Sequence, residues 1–108
     1  MAKIDIITLT GFTAIDGSMV ASGATIKFNS EFLAGTNIIV VKPKLYRSRE
    51  FFEMGYDEVR VNEIPNIFRL ELPDEEFYVL TPAILYEKVK DYLNNLFGVV
   101  LFEIKIII

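Results

Sequence analysis

The sequence predicts an α+β fold: a mainly antiparallel β sandwich or rolled barrel of about six or seven strands, with one α-helix at about 82–97 before a C-terminal strand. Three observations lead there. Apolar residues alternate with polar ones in most segments, at the two-residue period of a half-buried strand. The connections are of hairpin length and carry turn pairs such as Asp16-Gly17. Only the stretch from Thr81 to Gly98 switches to the helical period, between a capping residue and a terminating glycine.

In chain order, Ile4-Asp5-Ile6-Ile7-Thr8-Leu9-Thr10 reads as the opening strand, with an apolar phase shift between Ile6 and Ile7 that predicts a bulge. Asp16-Gly17 predicts a tight hairpin in which both central residues take positive φ. Residues 20–28 alternate, with Val20, Ala24, Ile26 and Phe28 on one face and Lys27 on the other. After the turn Ala34-Gly35-Thr36-Asn37, Ile38-Ile39-Val40-Val41 is apolar enough for a strand buried on both faces. It turns amphipathic at Lys42-Pro43-Lys44-Leu45, and Pro43, with no N–H to donate, marks an edge or an irregularity. Ser48 to Gly55 reads as a single helical turn with Ser48 as N-cap and Gly55 past its end. Val59 and Val61, then Phe68, Leu70 and Leu72, alternate with charges and predict two further strands.

The helix opens on Thr81-Pro82, an N-cap followed by proline at the first helical position. Leu85, Val89, Tyr92 and Leu96 recur along one face, and Tyr86, Leu93 and Phe97 form a second stripe that widens it. Residues 99–108 close the chain as a strand, with Val100, Phe102, Ile104, Ile106 and Ile108 on one face. Glu103 and Lys105 turn the other face to water, and Ile107 on that face calls for an apolar cover. The strand is therefore expected to be buried, partly by a second chain, since flat apolar edges aggregate.

A chain of 108 residues is the size of one domain, so residues 1–108 are expected to form a single β-rich unit. Its 52% hydrophobic and 24% charged content excludes disorder. A chain this short buries only about two-thirds of its unfolded surface alone, so such an apolar composition points to surface buried by another chain. There is no cysteine and no histidine, which removes disulfides, Cys-based zinc sites and the usual Ser-His and Cys-His nucleophiles. No enzyme activity, cofactor, metal or small-molecule substrate is expected. Asp5, Thr8 and Thr10 interrupt any signal-peptide core, and the apolar run from Leu96 to Phe102 is too short to span a membrane. The expected product is soluble and intracellular.

The net charge of −4 is unevenly placed: residues 1–49 balance at +3, residues 50–76 at −7, and the remainder is neutral. Lys42, Lys44, Arg47 and Arg49, with Tyr46 among them, form a basic segment. An acidic whole without an interleaved aromatic series makes nucleic acid an unsuitable partner. Asp74-Glu75-Glu76 is the densest carboxylate cluster and reads as a solvated loop rather than a cation site. Phe51-Phe52 cannot easily both face inward, and buried aromatics dominate interface energetics. The expected interface therefore comprises Lys42, Lys44, Tyr46, Arg47, Arg49, Phe51, Phe52, Asp74, Glu75, Glu76 and Ile107. Unlike patches that meet head to tail between copies give a ring when the rotation closes.

The order of elements, from opening strand and Asp-Gly hairpin to capped helix and terminal strand, resembles small virion proteins of tailed bacteriophages that form head–tail or tail rings. Ala21-Ser22-Gly23-Ala24-Thr25-Ile26-Lys27-Phe28 and Thr81-Pro82-Ala83-Ile84-Leu85 are the segments that carry it. The resemblance implies a non-enzymatic subunit that repeats around an axis, binds other virion proteins, and resides in the virion or in the host cytoplasm before assembly. It carries over no functional residue. The residues alone also admit a small intracellular module that accepts a ligand or peptide at a sheet edge or barrel mouth.

Overall fold

The computed structural model describes residues 3–107. In chain order the elements are β1 (Lys3–Thr8), β2 (Phe12–Thr13), β3 (Met19–Val20), β4 (Thr25–Phe32), β5 (Ile38–Tyr46), α1 (Arg49–Glu53), β6 (Phe68–Glu71), α2 (Asp74–Phe77), α3 (Pro82–Phe97) and β7 (Phe102–Ile107). Five strands form one antiparallel sheet in the order β6-β5-β4-β1-β7, and β2 and β3 form a separate hairpin. This is the α+β, antiparallel architecture expected, with a long helix directly before the last strand. The sheet is open, so the barrel alternative does not form. Closure would require β7 to pair with β6, but Asn94 of α3 occupies the edge of β7. Leu101 and Phe102 N–H donate to its Oδ1 at 2.8 and 2.9 Å, and its Nδ2 donates to the Phe102 carbonyl at 3.1 Å.

The core lies between the sheet and a second layer made by α3 and the hairpin. Ile6, Ile26, Ile39, Val41, Leu45 and Phe102 point into it from the sheet, as the two-residue period requires. From the helix come Leu85, Val89 and Leu93. Thr81 caps α3 by accepting from Ile84 N–H, Pro82 follows it, and Gly98 ends the helix at φ 72°. The buried stripe is nevertheless not Leu85-Val89-Tyr92-Leu96. Leu93 is fully buried and Leu96 is 52% exposed. Both stripes satisfy the helical period in so apolar a helix. The choice falls to Phe97, whose ring meets Phe102 at 5.6 Å and Phe12 at 6.0 Å and so turns the last helical turn towards β7 and the hairpin.

Other local expectations give way to tertiary pairing. β1 has no bulge: six consecutive residues from Lys3 to Thr8 pair with β7, so Ile7 lies beside Asp5 on the face away from α3. The Asp16-Gly17 turn is a three-residue loop, with Gly17 N–H bonded to Ala14 and positive φ at Gly17 alone. The alternation over 20–28 is broken at Gly23, φ 85°. Val59 makes one isolated bridge to Leu45 instead of a strand. Pro43 lies between Leu45 and Val41 on β5 and offers no N–H to continue that ladder. The carboxylates 74–76 form helix α2, not a loop.

The last strand starts at Phe102, leaving Val99 and Val100 exposed, and it is an edge strand rather than a buried one. Within it Phe102 is buried but Ile106 is 61% exposed; Ile108 lies outside the described residues. The α3 rotation has a direct consequence. Leu93→Ala is expected to destabilise the protein by about 2–5 kcal/mol and Leu96→Ala by about 0.5 kcal/mol or less, measured by urea denaturation. Equal losses would contradict this rotation, and a larger loss from Leu96→Ala would mean that Leu96, not Leu93, faces the core.

Candidate functional site

The face of the sheet away from α3 is organised around one buried acid. Asp5 on β1 is 1% exposed, because α1 lies over it. Arg49, the first residue of α1, donates to Asp5 Oδ2 through Nη1 and reaches Glu53 Oε1 through Nε at 2.7 Å. Lys27 of β4 brings its ammonium to 2.7 Å from Asp5 Oδ1, an ion-pair contact that leaves this oxygen without a directed hydrogen bond. Burial pushes the Asp5 carboxyl up, but the Arg49 hydrogen bond and the close positive charges of Lys27 and Arg49 outweigh it and hold the carboxyl below its ordinary 3.8. Arg49 is correspondingly raised by its bond to Asp5.

The same lysine fills a split in the sheet. β4 pairs with β5 over eight residues and β1 with β7 over six, yet β1 and β4 pair only at Ile6↔Ile26 and Ile7↔Thr25. Beyond that point Lys27 Nζ donates to the Ile4 carbonyl at 3.0 Å, replacing a ladder bond. Its ammonium lies 5.3 Å from the Phe52 ring of α1 and 5.6 Å from the Tyr86 ring of α3, within cation–π range of both. Tyr86 in turn packs on Phe28 at 4.6 Å.

Two adjoining hollows open over this arrangement and share Lys44, Tyr46 and Phe52. One, of about 230 Å³, is completed by Lys27, Asn29 and Tyr86. The other, of about 370 Å³, is completed by Tyr56, Asp57 and Glu58. Tyr46 meets Phe52 edge-on at 5.1 Å, and Phe51 packs on Tyr56 at 5.0 Å. Among the described residues Lys42 and Lys44 have no ion-pair partner.

Of the residues expected at an interface, the structure thus brings Lys44, Tyr46 and Phe52 together, with Phe51 alongside. It separates the rest. Arg49 is committed to Asp5 and Glu53. Arg47 donates to the Met19 carbonyl and to Ser18 Oγ, both at 2.9 Å, and fastens β5 to the hairpin. Asp74 accepts from Asn37, Glu76 pairs with Lys88 at 2.6 Å, and Glu75 remains exposed. Ile107 is half-buried opposite Lys3. Of these charges Arg49 and Glu76 are matched by ion pairs within one chain, while Arg47 and Asp74 are held by uncharged partners. Sequence reasoning missed Asp5 and Lys27 as a pair. The available signal was a lone acid among isoleucines in the opening strand, which needs a cation wherever that strand is covered on both faces.

Asp5→Asn removes the charge shared by Lys27 and Arg49, leaving Lys27 without an ion-pair partner among the described residues and Arg49 with Glu53 alone, and is expected to cost about 3–5 kcal/mol. Because the folded-state value is depressed, the stabilisation is complete above the unfolded value near 3.8 and is lost as pH falls through the lower folded value. The wild type should accordingly lose stability more steeply than Asp5→Asn below about pH 4 in acid titrations of unfolding. Parallel curves would contradict the pairing. Compared with known proteins, the chain matches no family model, no curated protein sequence and no solved structure.

Proposed function

We propose that this chain is a non-enzymatic structural subunit that acts by packing against copies of itself and against other proteins, as a component of the head–tail or tail region of a phage particle. One observation carries the packing role. At the N-terminal end of α3, where the helix leaves the sheet uncovered, Phe28, Phe32, Leu80, Pro82 and Tyr86 line an open hollow of about 350 Å³. Phe32 is 57% exposed there, and its ring continues through Phe77 to Tyr78 at centroid distances of 5.9 Å for each step. Isolated apolar side chains are ordinary on a surface, whereas a contiguous aromatic and aliphatic patch marks a site of association. Aromatic side chains are also the ones that supply most interface energy.

The absence of histidine and cysteine from the sequence supports a packing role over a catalytic one. The order of elements supports the phage setting. No helix among the described residues is long and apolar enough to cross a membrane. A second reading, a ligand- or peptide-binding module, draws on the hollows at Lys44, Tyr46 and Phe52. Its barrel-mouth form has no counterpart in an open sheet.

Light scattering on the purified chain over a dilution series tests the packing role. The expected mass exceeds the 12.3 kDa of one chain and falls on dilution. Phe32→Asp is expected to move that association to higher concentration. A wild type that stays at 12.3 kDa up to its solubility limit overturns the proposal.

A further inference from the structure

The sheet has two edges, and their chemistry differs. On β7 the backbone groups of Phe102, Ile104 and Ile106 point outward, since Leu101 bonds to Leu9 on the β1 side and the pattern alternates. Asn94 already satisfies Phe102 on that edge. The one register that sets Glu103 against Lys105 of a second copy centres on Ile104. It would bring Ile106 of that copy against Phe102, where Asn94 sits. This edge is blunted.

The β6 edge is not. Leu72 N–H bonds to the Asn37 carbonyl, so Leu72, Leu70 and Phe68 turn their backbone groups to β5. Arg69 and Glu71 therefore direct theirs outward, and among the described residues nothing bonds to them. Their side chains share the face away from α3, both are exposed, and neither has an ion-pair partner among the described residues.

We infer that β6 pairs antiparallel with β6 of a second copy across a two-fold axis at Leu70, joining two sheets into one. The inference rests on the self-packing role proposed above and adds to its apolar hollow a second, backbone-mediated contact. With Leu70 on the axis, Arg69 stands opposite Glu71 of the second copy and Glu71 opposite its Arg69. All four residues then have outward backbone groups, so each pair exchanges both N–H···O bonds. Cross-strand opposite charges add stabilisation, and like charges directly opposite oppose pairing. Centring the axis on Arg69 or on Glu71 would set two like charges against each other, so charge selects the Leu70 register. That register also places Ile67, 53% exposed on the same face, opposite Pro73. A self-complementary edge of this kind is an isologous contact.

A charge-swap cycle on the full chain tests it. Arg69→Glu and Glu71→Arg each replace two attractive pairs by two repulsive ones and are expected to weaken self-association by about tenfold or more. The double variant Arg69→Glu/Glu71→Arg restores unlike pairs and is expected to restore association. Far-UV circular dichroism and melting of dilute protein should stay unchanged in all three, because both side chains are exposed. If the wild type associates but neither single variant weakens it, or the double variant does not recover, the β6 contact is wrong while the packing role stands. The edge would then be solvated or open to an extended segment of a different chain. If the wild type never rises above 12.3 kDa, both fail together.

Discussion

The carboxylate of Asp5 is the constraint on which the outer face of this protein depends. It joins three segments far apart in sequence: β1, which carries it, β4 through Lys27, and α1 through Arg49. An ionised acid at 1% exposure is tolerable only when its charge is matched, and two cations supply the match. Such a network need not add much net stability over an apolar core, but losing one member is costly because the others stay buried. Its role is better seen in geometry. Helix α1 has five residues and buries none of them fully, so it has little hydrophobic hold of its own. The Arg49 contact, with Ser48 capping Phe51 N–H, keeps it over the sheet.

That anchoring shapes the surface. Lys27 is drawn into the split between β1 and β4, where its ammonium lies between the rings of Phe52 and Tyr86. Phe52 is thereby held against Tyr46, and the floor of both hollows is set. Edge chemistry shapes the remainder. One edge is blunted by a helix side chain that imitates a strand, while the other presents backbone groups unpaired among the described residues and flanked by opposite charges. With an apolar hollow at the start of α3, the molecule offers distinct surfaces of different character.

What was legible in the sequence was local. Thr81-Pro82 and Gly98 delimit α3, and Ser48 and Gly55 delimit α1, because caps act through bonds a few residues long. Alternation identified the antiparallel sheet. What depends on partners distant in sequence was hidden. The face of α3 was decided by Phe12 and Phe102, and the phase of β1 by its pairing with β7. Arg49 read as part of a basic interface because its partner lies at position 5. Lys44 and Tyr46 are legible as part of a basic segment and Phe52 as one of an aromatic pair, because each feature is local in sequence. Their hollow also needs Lys27 and Tyr86, which no spacing rule links to them.

Asp5, as an ionised and doubly paired acid, holds α1 in place. A carbon-13 titration of its side-chain carboxyl, followed together with the ring signals of Phe52 and Tyr46, measures this directly. A midpoint below 3.8 is expected, with the ring signals moving at the same midpoint as α1 is released. A carboxyl that titrates at or above 3.8, with ring signals indifferent to its protonation, would contradict it.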